Sequence, residues 1–277
     1  MQPISLVISD VDATLITPEH VVTERARHAV RTLREHGILF TIASSRPPRG
    51  LHALVEKLAL SEPFAAFNGA VIQRPDGETL VKHLMPRAVA ERVLNVVENF
   101  ALDLWVYCDH DWHVARRTPF VDREENTSGF SPVIESDIRK VLDQAAKLVV
   151  VGEPVLIAEA EPMVLAAGGV EVSATKSKPR FIDITTAEAH KGMVVTQLSD
   201  LLDIPTKSIA VIGDGLNDIL MFERAGFSIA MGQADDVVRQ AADVVTAANT
   251  EDGFARAMED YVLTAGAKVG NAGGSTR

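Results

Sequence analysis

The chain has 277 residues, 47% hydrophobic and 23% charged, enough to bury one large core or two smaller ones, so wholesale disorder is excluded. A formal net charge of -11 argues against a binder of nucleic-acid backbones, which needs clustered Lys and Arg, but leaves room for a small anionic ligand held by local cations and a metal. Cys108 is the single cysteine, which excludes an intramolecular disulfide. With no basic-then-apolar start and no apolar run near the roughly 20 residues that span a bilayer, the reading is a soluble cytoplasmic protein that does not engage membranes.

Leu6-Val7-Ile8 followed by Ser9-Asp10 reads as a buried parallel strand that delivers carboxylates at its carboxyl end. Thr23 is a candidate N-cap, Ala26, Ala29, Val30 and Leu33 recur at helical spacing, and Gly37 stands where a C-terminal glycine belongs. A second strand is expected over 38–43, a helix over 51–60 and an apolar run over 64–67. Asp76-Gly77 between Val71-Ile72 and Leu80-Val81 reads as a hairpin turn.

From about residue 83 the rhythm changes to a helix over 88–100 and short β-like runs at 104–107, 147–151 and within 169–184. The strand-helix rhythm returns with a helix over 193–202, a strand over 209–212, a helix over 219–225 and short runs at 228–231 and 243–245. The expected fold is therefore α/β, a Rossmann-like parallel-sheet core with helices on both faces plus an inserted α+β cap. Residues 1–82 and 184–277 would form the discontinuous core and 83–183 the cap. The 271–277 segment, with Gly-Gly-Ser-Thr, reads as a frayed tail.

Asp10 and Asp12 are two residues apart, so at a strand end both carboxylates face one ligand, and two such charges need a cation or a shared proton. Alone, Asp-Val-Asp can equally be an acidic turn. Gly213-Asp214-Gly215-Leu216-Asn217-Asp218 repeats the pattern after a second apolar strand, though alone it can be a structural helix cap. Since the strand ends of an open parallel sheet lie along one edge, Asp10, Asp12 and Asp214 can meet around a hard cation, for which Mg²⁺ is the natural choice.

With Asp10-Val11-Asp12-Ala13-Thr14-Leu15, Ser44, Lys191 and Gly213 to Asp218 occurring in that order, the chain resembles the haloacid dehalogenase superfamily of phosphatases, in its Cof-like, sugar-phosphatase-type branch with the larger type of cap. Asn68-Gly69-Ala70 and Arg46 also match that branch. The resemblance implies Asp10 as nucleophile forming an aspartyl phosphate and Asp12 as general acid, then base. It implies Mg²⁺ on the Asp10 side chain, the Asp12 backbone carbonyl and Asp214, with Asp218 acting directly or through water. Ser44, Lys191 and Asn217 would bind phosphate; Ser45, Arg46 and Asn68 would lie toward the substrate. By residue type alone, Ser44 can be a turn serine, Lys191 a solvated charge and Arg46 a structural arginine.

Two positions depart from the family pattern: Ala13 stands where glycine is usual, and Ser44-Ser45-Arg46 where Thr-Gly-Arg is common. A positive φ at Ala13 would add strain, whereas a negative one would cost little. The inserted segment would act as a lid that excludes water, and Trp105, Tyr107, His110, Trp112, His113, Arg116 and Arg117 are candidate lid contacts, the aromatics doubling as lid core. The expected activity is Mg²⁺-dependent hydrolysis of a small phosphate monoester, a sugar phosphate or a phosphorylated cofactor such as pyridoxal phosphate. The alternatives are a phosphomutase of the phosphomannomutase type and a non-catalytic sensor of a phosphorylated metabolite. The substrate and the oligomeric state stay open.

Overall fold

The computed structural model describes residues 3–108 and 111–264, without the side chains at 177 and 178. His110 and the 271–277 tail, both singled out in the sequence, lie outside the described residues.

Ile209–Gly213 is the centre of a five-stranded, all-parallel sheet; Leu6–Ser9 lies beside it and pairs on its other side with the edge strand Leu39–Ile42, while Phe227–Ala230 and Val244–Val245 follow on the opposite side of the centre. Parallel strands covered on both faces read as continuous apolar runs, and Leu6, Val7 and Ile8 are wholly buried. The helix Glu24–Glu35 starts on Thr23, whose Oγ1 accepts from the Ala26 amide, and turns Ala26, Ala29, Val30 and Leu33 inward. Gly37 has φ +74°, the left-handed conformation expected after a helix end. A three-stranded antiparallel sheet of Phe64–Ala66, Val71–Gln73 and Thr79–Lys82 is tied on by the bridge between Ala43 and Ala65.

The second layer is a six-stranded sheet built from strands between Asp103 and Thr186, antiparallel except where Trp112–Val114 runs parallel to Val133–Ile134. The helices Arg87–Asn99 and Pro154–Gly168 cover one of its faces. The second of these carries no sequence signal: it is apolar on nearly every side, so no stripe stands out, and Pro162 reads as a helix breaker. Burial of Ile157, Ala160 and Val164 against the sheet overrides that preference. No helix among the described residues is long and apolar enough to cross a membrane.

Candidate active site

Three strands end at one edge of the parallel sheet and bring the polar residues together. Asp10 follows Leu6–Ser9, its amide bound to the Ile212 carbonyl of the neighbouring strand at 2.9 Å. Asp214 and Asp218 follow Ile209–Gly213 in the same way. Ligand oxygens of Asp10, Asp214 and Asp218 lie within 4.8 Å of one another, a donor set suited to a hard divalent cation.

Lys191 is the first residue of the helix Lys191–Leu202 and, far from being solvated, is buried, with its side chain 2% exposed. Its Nζ donates to Asp10 Oδ1 at 2.5 Å and to Asp218 Oδ1 at 2.6 Å. Asp218 Oδ2 accepts from the Asp214 amide at 3.0 Å and from the Gly215 amide at 2.8 Å, so both of its oxygens hold the loop and the lysine. That wrap requires glycine at 213, where a Cβ would stand 2.4 Å from the Asp218 carboxyl. Thr14 Oγ1 donates to Asp214 Oδ1 at 2.9 Å.

Burial raises the Asp10 carboxyl to about 7; the attraction of Lys191 opposes this, and Asp218 and Asp214 add to it by repulsion. Burial also raises Asp214, against its hydrogen bond from Thr14. Burial acts in the opposite direction on Lys191, but the two carboxylates beside it outweigh that and hold it firmly as an ammonium.

Asp12 is half-exposed and stands outside that carboxylate cluster. Arg46 grips it as a fork, Nε to Oδ2 at 2.8 Å and Nη2 to Oδ1 at 2.5 Å. Arg46 in turn sits on Ser44, whose Oγ accepts the Arg46 amide at 3.1 Å and keeps its own proton to donate. The Ser44 amide is already committed to the Ala65 carbonyl. Asn217 Nδ2 reaches Asn68 Oδ1 at 3.4 Å, and the Asn68 amide donates to the Ser44 carbonyl at 2.8 Å; Ser45 is the next residue on the Ser44 loop. Between Asp12 and Thr14 the chain turns sharply at Ala13, whose φ is +60°, the left-handed conformation in which an alanine is strained; Gln233 Nε2 donates to its carbonyl at 2.7 Å.

A family model described as haloacid dehalogenase-like hydrolase matches residues 7–258, nearly the whole described chain. The chain belongs to the haloacid dehalogenase-like hydrolases. A putative phosphatase of Haemophilus influenzae is 30% identical over 258 residues, covering 92% of this chain and 97% of its own. A 5-amino-6-(5-phospho-D-ribitylamino)uracil phosphatase of Bacillus subtilis is 26% identical, covering 94% and 96%. The crystal structure of a haloacid dehalogenase-like hydrolase from Bacteroides thetaiotaomicron superposes with a TM-score of 0.85 at 24% identity over 93% of this chain and 99% of that one, a likeness of fold.

In this family member the candidate lid residues divide. Trp105, Tyr107 and Trp112 pack on one another on the sheet face opposite the long helices, Tyr107 also touching Phe67 with ring centroids 5.7 Å apart. Arg116 is paired with Asp103 at 3.0 Å and Arg117 with Asp122 and Glu125, all outside the carboxylate cluster. His113 lies on the other face, its Nδ1 without a partner.

Residues that sequence reasoning passed over are Thr14, Gln233 and Arg49. Arg49 is 3.6 Å from Asp111 and stands over the Phe130 ring at 5.1 Å, joining the Ser44–Arg46 loop to the six-stranded layer. Thr14 had a signal, since it lies inside the first motif. Arg49 and Gln233 had none, because Asp111 is 62 residues from Arg49 and Ala13 is 220 residues from Gln233.

Proposed function

We propose that the protein is a phosphatase that hydrolyses a small phosphate monoester, with Asp10 as nucleophile and Asp12 as proton carrier, and that it requires Mg²⁺. One observation carries this reading: a buried strand-end carboxylate is paired with a buried ammonium and has oxygens of two further carboxylates within 4.8 Å, close enough for a divalent cation to be shared. A structural ion pair needs no third carboxylate, whereas a site for a dianionic phosphate needs enough positive charge to admit it. The relatives named as phosphatases support the same activity.

The side chains of Asp10 and Asp214 and the backbone carbonyl of Asp12 would hold the Mg²⁺, with Asp218 acting through water because its oxygens are engaged. When bound, the ion neutralises charge on the phosphoryl oxygens and offsets their repulsion of Asp10. An Asp10 oxygen attacks phosphorus while Asp12 protonates the departing alcohol oxygen, leaving an aspartyl phosphate. Asp12 then takes a proton from water, which attacks phosphorus, expels the Asp10 carboxylate and releases inorganic phosphate. Lys191 stays protonated throughout and balances charge on Asp10, while Ser44 Oγ and Asn217 Nδ2 donate to the phosphoryl oxygens. Asp12 cannot deliver a proton with both oxygens in the Arg46 fork, so at least one must let go as the substrate seats. Residues 83–183 act as the lid over this edge.

The reading is tested by phosphate release from sugar phosphates, nucleotides and pyridoxal phosphate, with and without Mg²⁺, in the wild type and Asp10→Asn. Metal-dependent release that vanishes in Asp10→Asn supports it; tight binding of a phosphorylated compound without release would move the protein to the mutase or sensor class.

A further inference from the structure

Strands present alternate side chains to the two faces of a sheet. In the six-stranded layer, Leu104, Val106, Leu148, Val150, Ile182 and Ile184 pack under the long helices. The opposite face, with Trp105, Trp112, Val149 and Val151, belongs to the same apolar cluster as the catalytic half and meets it where Tyr107 touches Phe67.

On that apolar face lies a charged pair. Lys147 Nζ donates to Asp183 Oδ2 at 2.8 Å, with the side chains 10% and 18% exposed. Register brings them together: Tyr107 stands opposite Lys147 on one side, and on the other Asp183, opposite Val149, is diagonal to Lys147. The ammonium is 5.9 Å from the Tyr107 ring centroid. Burial first, then repulsion from Glu124 and Asp183, raises the Tyr107 hydroxyl well above the usual range for a phenol, so it remains a neutral donor and acceptor.

Packing does not call for these charges, since a buried ion pair contributes little net stability and apolar side chains of similar volume serve as well or better. Position suggests their use: Phe67, against which Tyr107 rests, precedes Asn68, the partner of Asn217 in the catalytic loop.

Resting on the phosphatase reading, we propose that Lys147, Asp183 and the Tyr107 hydroxyl determine specificity by reading the leaving group, and that they select an uncharged, hydroxyl-rich one, a polyol or a sugar. The ammonium donates, the carboxylate accepts and the phenol does either, the pattern that adjacent hydroxyls satisfy. The pair is net neutral and Glu124 is close by, so a second phosphate or carboxylate on the substrate gains nothing here. A flat apolar leaving group would desolvate three polar groups and meet none of them.

The test compares kcat/KM for sorbitol 6-phosphate and glucose 6-phosphate with that for phenyl phosphate and fructose 1,6-bisphosphate, all with Mg²⁺. The enzymes are the wild type, Tyr107→Phe and the double variant Lys147→Met/Asp183→Leu, which removes both charges together so that neither is left buried alone. We expect the wild type to favour the hydroxyl-rich monophosphates over phenyl phosphate and the bisphosphate by at least about ten-fold. That ratio should fall about 10–100-fold in the double variant and less in Tyr107→Phe, with the fold intact by circular dichroism. Equal use of all four esters by the wild type, or an unchanged ratio in both folded variants, overturns the inference and leaves the phosphatase reading standing. Should no ester release phosphate, the phosphatase reading falls and this inference with it.

Discussion

Replacing Lys191 with methionine keeps most of the side-chain volume and removes the only charge that compensates Asp10 and Asp218 at their point of contact. Their side chains are 9% and 1% exposed, so water cannot take over the ammonium's place. Breaking a buried pair by deleting one partner costs about 3–5 kcal/mol. With an unfolding entropy of about 2.1 cal/mol/K per residue over 277 residues, the expected fall in Tm is roughly 5–9 °C, provided both layers melt together.

The loss should depend on pH in a defined direction. Asp10 is raised from 3.8 to about 7 in the folded protein, so its burial costs nothing below pH 3.8, costs progressively more as pH rises toward 7, and its full amount above. Without Lys191 that carboxyl rises further, and the Tm deficit of Lys191→Met should be widest near pH 8.5 and shrink near pH 5.5, where Asp10 takes up a proton. Differential scanning calorimetry of wild type and variant in matched buffers, with and without 10 mM Mg²⁺ as about that order of excess, reads all three effects. The ion should recover part of the deficit at pH 8.5. A deficit of equal size at both pH values would show a packing defect and refute the electrostatic reasoning.

Ala13→Gly relieves the strained φ of +60° and should stabilise by about 0.5–1 kcal/mol after the extra freedom of glycine in the unfolded chain is counted, a Tm rise of roughly 1–2 °C by calorimetry. Arg46→Ala removes the guanidinium that, through the one bond kept once the fork opens, orients Asp12, and should lower kcat by about 10–100-fold with a smaller effect on KM; a change confined to KM would mean that Arg46 binds substrate and does not position the acid. Mg²⁺ affinity, measured by isothermal calorimetry, should weaken as pH falls below about 7, because the metal must displace a proton from Asp10; a flat profile from pH 5.5 to 8 would argue that Asp10 is not a ligand. Asp214→Ala should weaken the same affinity and the activity together, and identical saturation in mutant and wild type would remove Asp214 from the metal site.

The first and fourth motifs were legible because each combines a buried apolar strand with carboxylates at its end, a local pattern whose meaning follows from parallel-sheet geometry alone. Lys191 was legible only by family resemblance, since nothing in its neighbourhood in sequence says that an ammonium at a helix start is buried. The helix Pro154–Gly168 was invisible because a segment apolar on most sides has no period, and only the sheet beneath it chooses a face.

By itself, then, the sequence determined the alternation of strands and helices, the strand-end positions of Asp10 and Asp214, the turn at Asp76-Gly77 and the break in rhythm after residue 83, all of which are encoded within a few residues. Tertiary structure alone decided that Arg46 holds Asp12, that Asp218 spends both oxygens on Lys191 and two loop amides, and that Lys147 faces Asp183. Those pairings join residues 27 to 36 positions apart, or span two neighbouring loop amides, and depend on which strand lies beside which. Local propensity carries no record of that, because strand order is set by how whole elements bury their apolar faces against one another.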